Sequence, residues 1–323
     1  MARIQRPLVE LAKRGHSIFF TDLTEPIRVD GWDIVIFNNL LEAEPGEIER
    51  MVADFKKGGA KIVYDCDDSQ DIIPDHIVNL TQAKTSIGSF YLFLREADLI
   101  TTTTEILREY LQSKTKKPVV VFPNCLNPAD FPQRKQYEKL RIGLAGSVTH
   151  IKDILMVIDE LNTLHRQTDF EFVLFGFGKK DFNAWVKACK NTNLQYLALD
   201  LKSKVRRLNL VWVPSSKAEE YPSKLAEIGL DIGICPLEAN EFNRNKSCIK
   251  FYEYAMVQTA CVASDVLPYS LEPITRWKDL EKMITDKDFR EAERKKQQEW
   301  VFKNRDVTKK VELWEKAYQK LIL

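Results

Sequence analysis

Short apolar runs alternate with amphipathic stretches along nearly the whole chain. Runs of four or five residues stand at 16–20, 33–37, 61–64, 99–103 and 118–122, and again at 141–145, 171–175, 209–213, 231–235 and 260–263. Their length and apolar character predict strands. Between them, residues 44–57, 153–165 and 221–228 carry apolar side chains at i, i+3 and i+4, the spacing of one helix face. Strands this apolar, separated by helices, predict parallel sheets covered on both faces.

The alternation breaks at 127–139 (NPADFPQRKQYEK), where two prolines and many polar groups read as a linker. It divides the strands five and five. The expected fold class is α/β, with two doubly wound halves and ligand in a cleft at the carboxyl ends of the strands. The first domain is expected over 1–130 and the second over 139–300. The tail from 278 on is charged and helical, without strand signals. It predicts a long terminal helix anchored by Trp300, Trp314 and Tyr318, with 301–323 returning towards the first domain. At the other end, residues 1–14 read as a helix. A doubly wound domain normally opens on a strand, so the first strand of this half is expected to be missing.

Composition narrows the function classes. A chain of 323 residues suits two domains. Its formal net charge of +1 argues against a dedicated nucleic-acid binder, whose phosphate contacts need a basic excess. No apolar run approaches the ~20 residues of a membrane span, and the charged start does not read as a signal peptide. Cys66, Cys125, Cys189, Cys235, Cys248 and Cys261 are scattered, with no metal-type pair. Cytoplasmic placement is the expectation, with peripheral membrane contact left open.

Chemistry concentrates in 231–269 (DIGICPLEANEFNRNKSCIKFYEYAMVQTACVASDVLPY). A strand enters a polar loop, and a helix begins near Lys246 with Ser247 in its first turn. Free backbone N–H groups there make an anion site. Lys246 and Lys250 add positive charge, and Glu253 can accept hydrogen bonds from sugar hydroxyls. In 141–153 (RIGLAGSVTHIKD) a strand ends at Gly146-Ser147, small enough for a diphosphate to approach the backbone.

With these motifs the chain resembles the retaining GT-B glycosyltransferases, above all family 4, over nearly its whole length. The resemblance implies two Rossmann-like domains facing a cleft. Glu253 matches the second Glu of that family's E-x7-E motif, which holds the nucleotide ribose. The first Glu falls at Asn245, a departure that replaces a charge with an amide. Asn245, Lys246 and Lys152 are the implied catalytic groups, Lys152 as the phosphate contact. Donor contacts are implied at Gly146, Ser147, His150, Gly176, Pro214, Ser247 and Glu253. For His150, a helix-capping or packing role is the alternative.

In the first half, Asp65, Asp67 and Asp68 cluster at a strand's carboxyl end. Three readings stand: acceptor hydroxyl binding, a D-x-D metal site, or a helix cap with a solvated acidic turn. The run resembles the family subgroup's YD-x-DD, so the acceptor role is preferred and no metal is expected. Val121-Phe122-Pro123-Asn124 resembles the element that closes the first domain, with Asn124 beside the cleft. Arg3 faces phosphate or acceptor, or is a terminal surface charge.

The implied activity is transfer of a hexose-type sugar from a nucleotide-diphosphate sugar to an acceptor hydroxyl, with retention, in glycan or glycoconjugate synthesis. The donor is a co-substrate, and no cofactor is implied. The acceptor class (carbohydrate, lipid-linked or protein) is open. Two rivals remain: a non-catalytic GT-B module that binds sugar or nucleotide, and a nucleotide-sugar epimerase.

Overall fold

The computed structural model describes residues 2–21, 27–39, 45–72, 80–176 and 178–323. The first half runs α1 (Ala2–Lys13), β1 (Ile34–Asn38), α2 (Pro45–Lys57), β2 (Lys61–Asp65), α3 (Leu80–Glu96), β3 (Leu99–Thr102), α4 (Glu105–Gln112) and β4 (Val119–Val121). Among the described residues these strands form a parallel sheet in the order β1-β2-β3-β4. Strand β2 shows why it is covered on both sides. Ile62 and Tyr64 face a core with α2 and α3, where Tyr64 stacks on Phe93 at 4.7 Å. Val63 points the other way, into a cluster with Leu8, Leu11 and Trp314. The period of two thus assigns alternate residues to two helical layers.

The second half runs β5 (Leu140–Ala145), α5 (Ile151–Gln167), β6 (Phe170–Phe175), α6 (Lys179–Ala188), α7 (Gln195–Val205), β7 (Leu210–Val213), α8 (Tyr221–Ile228), β8 (Ile232–Cys235), α9 (Glu241–Arg244), α10 (Ile249–Met256), β9 (Ala260–Ala263) and β10 (Thr275–Arg276). The strands form a parallel sheet in the order β10-β9-β8-β5-β6-β7. The chain winds outward from β5 to β7, then returns to lay β8 on the other side. The carboxyl ends of β5 and β8 therefore flank a topological switch point, where crevices open in such sheets. Phe172 and Leu174 pack into one layer, Val173 and Phe175 into the other.

Two expectations are corrected. Residues 16–20 form no strand: Ile18 packs on the α1 cluster, while Phe19 and Phe20 are exposed, Phe19 stacked on Trp32 at 5.9 Å. The segment is held by side chains such as His16, whose Nε2 meets Glu315 at 3.1 Å. Among the described residues no strand edge pairs with this run, so extension gains it no ladder. The tail is not one helix but α11 (Leu280–Thr285), α12 (Lys287–Asn304), α13 (Val307–Lys310) and α14 (Glu312–Ile322). Asp306 restarts it by accepting the Thr308 N–H at 3.0 Å, a side-chain cap.

That restart lets the tail serve both halves. In α12, the buried Gln297 accepts the Cys261 N–H at 2.7 Å and donates to the Cys261 carbonyl at 2.9 Å, against β9. Beyond the break, Trp314 and Tyr318 pack on Phe122 in the first half. At the crossing itself, Leu126 N–H donates to the Arg305 carbonyl at 2.8 Å and Val307 N–H to the Leu126 carbonyl at 2.9 Å. The linker stretch 127–139 docks on the second half, where Arg134 pairs with Asp231 at 2.9 Å.

Candidate functional site

A cavity of about 380 Å³ lies between the carboxyl ends of the two sheets. From the first half it is lined by Arg3, Asn38, Asn39, Asp67, Asp68 and Asn124. From the second come His150, Leu237, Lys246, Ser247, Lys250 and Tyr269, grouped around the switch point.

On the second side, β5 ends at Ala145 and the chain turns tightly. Gly146 N–H donates to the Phe175 carbonyl at 2.8 Å, which fastens this turn to the end of β6. A Cβ on Gly176 would lie 2.0 Å from the Gly146 carbonyl oxygen, and its φ of +112° also demands glycine. A 3-10 turn (Val148–His150) then leads into α5. His150 Nδ1 lies 2.7 Å from Asp153, one turn on, and Asp153 also accepts the Glu238 N–H at 2.8 Å. This fixes the tautomer. Nδ1 carries the proton, and Nε2 accepts from Lys250 Nζ at 2.8 Å. Burial, then the Lys250 charge, lowers the His150 pKa to about 4, so the ring is neutral at pH 7. Burial also lowers the pKa of Lys250, reinforced by neighbouring Lys246.

One turn beyond Lys250 on α10 stands Glu253, which accepts from Tyr221 at 3.0 Å. Burial raises its pKa, against the Tyr221 hydrogen bond and Lys250. Tyr221 in turn stacks on Phe175 at 5.2 Å, at the end of β6. Lys250 and Glu253 thus stand one turn apart on α10, with Tyr221 of α8 bonded to Glu253.

On the first side, the acidic run divides in two. Asp65 is fully buried and accepts from Arg3 at 2.9 and 3.0 Å, Asn38 at 3.0 Å and Thr101 at 2.6 Å. Arg3 also donates to the carbonyls of Phe122 and Thr102. Asp65 is committed to these bonds and does not line the cavity. Asp67 and Asp68 do. Burial, then Asp67, raises the Asp68 pKa to about 7, against the pull of Lys246 and Lys250. Burial, then Asp65, also raises Asp67, against Arg3. With Asp65 engaged, the carboxylates left for a ligand are a pair, not a triad. Among the described residues no cluster of three metal-ligating side chains converges.

Asn124 joins the sides. Its amide donates to Ser247 Oγ at 2.6 Å, and its Oδ1 accepts from Arg3 at 3.3 Å. A line of hydrogen bonds therefore runs from Asp65 through Arg3 and Asn124 to Ser247, which stands just before α10, because the helix starts at Ile249 and not near Lys246 as the sequence suggests.

Of the residues singled out in the sequence, the cavity gathers Arg3, Asp67, Asp68, Asn124, His150, Lys246, Ser247 and Lys250. Gly146, Gly176 and Glu253 lie just behind its second wall. Ser147 bonds Thr149 at 2.7 Å within its own turn. Pro214 is exposed beside Gly178. Lys152 sits in the first turn of α5 and Asn245 is buried, its amide donating to the Glu241 carbonyl at 3.0 Å; neither lines the cavity. Phe177 lies outside the described residues. Sequence reasoning gave no site role to Asp153, Asn38, Asn39 or Tyr221. Only Asp153 carried a local signal, three residues after His150 on one helix face.

No protein-family model matches this chain, and neither does any curated protein. Solved structures do. TarM superposes with a TM-score of 0.58 at 13% identity, covering 88% of this chain and 54% of its own. An alpha-glucosyltransferase solved with UDP-glucose and DNA containing an abasic site gives 0.58 at 13%, over 89% of this chain and 80% of its own. The alpha,alpha-trehalose 6-phosphate synthase of Burkholderia multivorans gives 0.56 at 10%, over 91% and 71%. The chain thus spans about half the length of TarM. These are GT-B glycosyltransferases, and the fold of this chain is GT-B.

Proposed function

We propose that the chain is a glycosyltransferase that moves a sugar from a nucleoside diphosphate to an acceptor hydroxyl. One observation carries the reading. Lys246 and Lys250, with a histidine held neutral, stand at the switch point of the second sheet, across about 380 Å³ from Asp67 and Asp68. The nucleotide-sugar chemistry of the structural neighbours supports it, since UDP-glucose is bound in one of them.

When the anomeric bond of such a donor breaks, negative charge gathers on the diphosphate. Groups already aimed at that charge lower the barrier most. Lys246, Lys250 and the free N–H groups opening α10 supply positive potential there. Neutral His150 leaves that potential to the lysines and offers no competing charge. In this reading Glu253, beyond Lys250 on the same helix, accepts from ribose hydroxyls in exchange for its Tyr221 bond. The acceptor enters from the first side, where Asp67, Asp68, Asn38 and Asn39 offer hydrogen-bond partners for hydroxyls. In this reading the donor sugar is a hexose, the configuration is retained and no metal is required.

Calorimetry with a panel of nucleotide sugars tests it, followed by assay of donor consumption with and without acceptors. The intact protein binds at least one nucleotide sugar, and Lys250→Met weakens that binding about tenfold or more, the effect of losing one charge-assisted hydrogen bond. Unchanged affinity in Lys250→Met would remove the site. Binding without turnover across all acceptors would favour a binding module, and donor conversion without any acceptor an epimerase.

A further inference from the structure

A second cavity, of about 390 Å³, opens away from the interdomain cleft, along β7 at the edge of the second sheet. Helices α6 and α7 form its walls. Phe182 and Trp212 line it, their rings 5.1 Å apart, with Leu208 and Leu210 beside them. Lys179, Lys202 and Arg206 line it as well.

Those three cations have no carboxylate partner among the described residues. Their neighbour Lys204, on the same helix as Lys202, shows the contrast. It pairs with Asp159 at 2.8 Å and with Asp200 at 3.1 Å, on the side turned towards α5. Lys204 is thus neutralised against α5, whereas Lys179, Lys202 and Arg206 converge unpaired on one apolar-floored cavity. The surrounding segment, 178–210, holds eight Lys and Arg (179, 180, 187, 190, 202, 204, 206, 207) against two Asp (181, 200), although the whole chain carries only +1. Unpaired like charges repel one another, and an anion bound among them relieves that repulsion.

We propose that this cavity is a second binding site, for a phosphate group carried on a small organic ring. The phosphate sits among Lys179, Lys202 and Arg206, where the Arg guanidinium can grip two oxygens at once. The ring lies against Trp212 and the apolar floor. The volume suits such a ligand, since small-molecule sites typically span roughly 300–1,000 Å³. On α7, Tyr196 and Leu199 extend the stripe of Lys202 and Arg206 towards the helix start and are exposed. The phosphate can therefore come from a free sugar phosphate or from the headgroup of an anionic lipid. The site lies outside the donor cleft and does not depend on the function proposed for it.

Titration calorimetry with glucose 6-phosphate, and flotation with vesicles of phosphatidylinositol phosphate in phosphatidylcholine, separate these sources. Both use the full chain carrying Lys246→Ala and Lys250→Ala, so that the interdomain cleft contributes no binding. Saturable uptake of glucose 6-phosphate identifies a free ligand, and flotation alone identifies the headgroup. In either case Lys202→Ser with Arg206→Ser lowers the affinity tenfold or more, whereas Lys180→Ser with Lys190→Ser, on the same basic segment but outside the cavity, leaves most of it. Absence of both kinds of binding overturns the proposal. So does equal loss in the two double variants, which would mark general surface charge instead of a site. Circular dichroism of each variant shows that a loss of binding is not a loss of fold.

Discussion

At the scale of single residues, the pair Arg3 and Asp65 decides how the first half holds its cleft edge. Both are nearly buried, and their two-pronged contact closes the carboxyl end of β2. A buried ion pair adds little net stability, yet breaking one strands a charge in an apolar interior. Arg3→Met should therefore cost roughly 3–5 kcal/mol in urea denaturation. A loss under 1 kcal/mol would mean that the pair does not hold the carboxyl end of β2. The sequence shows Arg3 and Asp65 as candidates but not as partners. They lie 62 positions apart, and no local pattern joins a terminal helix to a strand end. The same holds for Lys250 and His150, separated by 100 positions.

His150 and Asp68 make opposite demands on pH. The folded protein disfavours protonated His150, so its contribution is complete above an ordinary histidine pKa near 6.5 and falls away as pH drops towards about 4. Asp68 is the reverse. Its folded pKa is raised, so its contribution is complete below an ordinary carboxylate value and is lost as pH rises through about 7. Asp68→Asn should thus raise the melting temperature relative to the parent at pH 8 and much less at pH 4.5. Equal shifts at both pH values would show that Asp68 is not destabilised by ionisation.

At the scale of elements, periodicity was informative wherever strands and helices alternate, and for a physical reason. Strands such as β8 and β9 are buried along their whole length, so a continuous apolar run is their only stable composition. The run at 16–20 is also rich in apolar residues but has no partner edge among the described residues, and pairing, which makes a strand, is invisible in one segment. Glycines carry a further message that becomes readable only in the packed structure. A Cβ on Gly233 in β8 would meet the Tyr254 ring at 2.5 Å. That ring is held because the Tyr254 hydroxyl accepts the Ala145 N–H at 2.7 Å, at the end of β5. Gly233→Ala should destabilise by about 1–3 kcal/mol, the usual cost of overpacking. It should also weaken the nucleotide-sugar binding proposed above, because displacing Tyr254 disturbs the turn at Gly146. Gly233→Ala with Tyr254→Phe should leave the steric loss in place, since the ring and not the hydroxyl meets the new methyl. Full recovery in the double variant would refute that account.

At the scale of the whole molecule, the two halves are joined by more than a cleft. Asn124 reaches from one to the other through Ser247, and the tail returns across the boundary. The apolar stripe of the tail carries its return, since Trp314 and Tyr318 pack on Phe122. The pairing of Asn124 with Ser247 does not follow from hydrophobic pattern, which reports burial and not which polar groups meet. The doubly wound halves and the returning tail were therefore legible in the sequence, while the Asn124 tie was not.

The chain crosses between the halves twice, and at Leu126 and Arg305–Val307 the crossings lie side by side, bonded backbone to backbone. Severing one strand of such a tether leaves the other. A protease site introduced at 135–138 and cut in the native state should yield two fragments that still co-elute in size-exclusion chromatography. Separation of the fragments would show that the second crossing bears no load. If they stay together, this GT-B protein is a nick-tolerant scaffold, and its two halves can be produced as separate polypeptides, labelled independently and recombined.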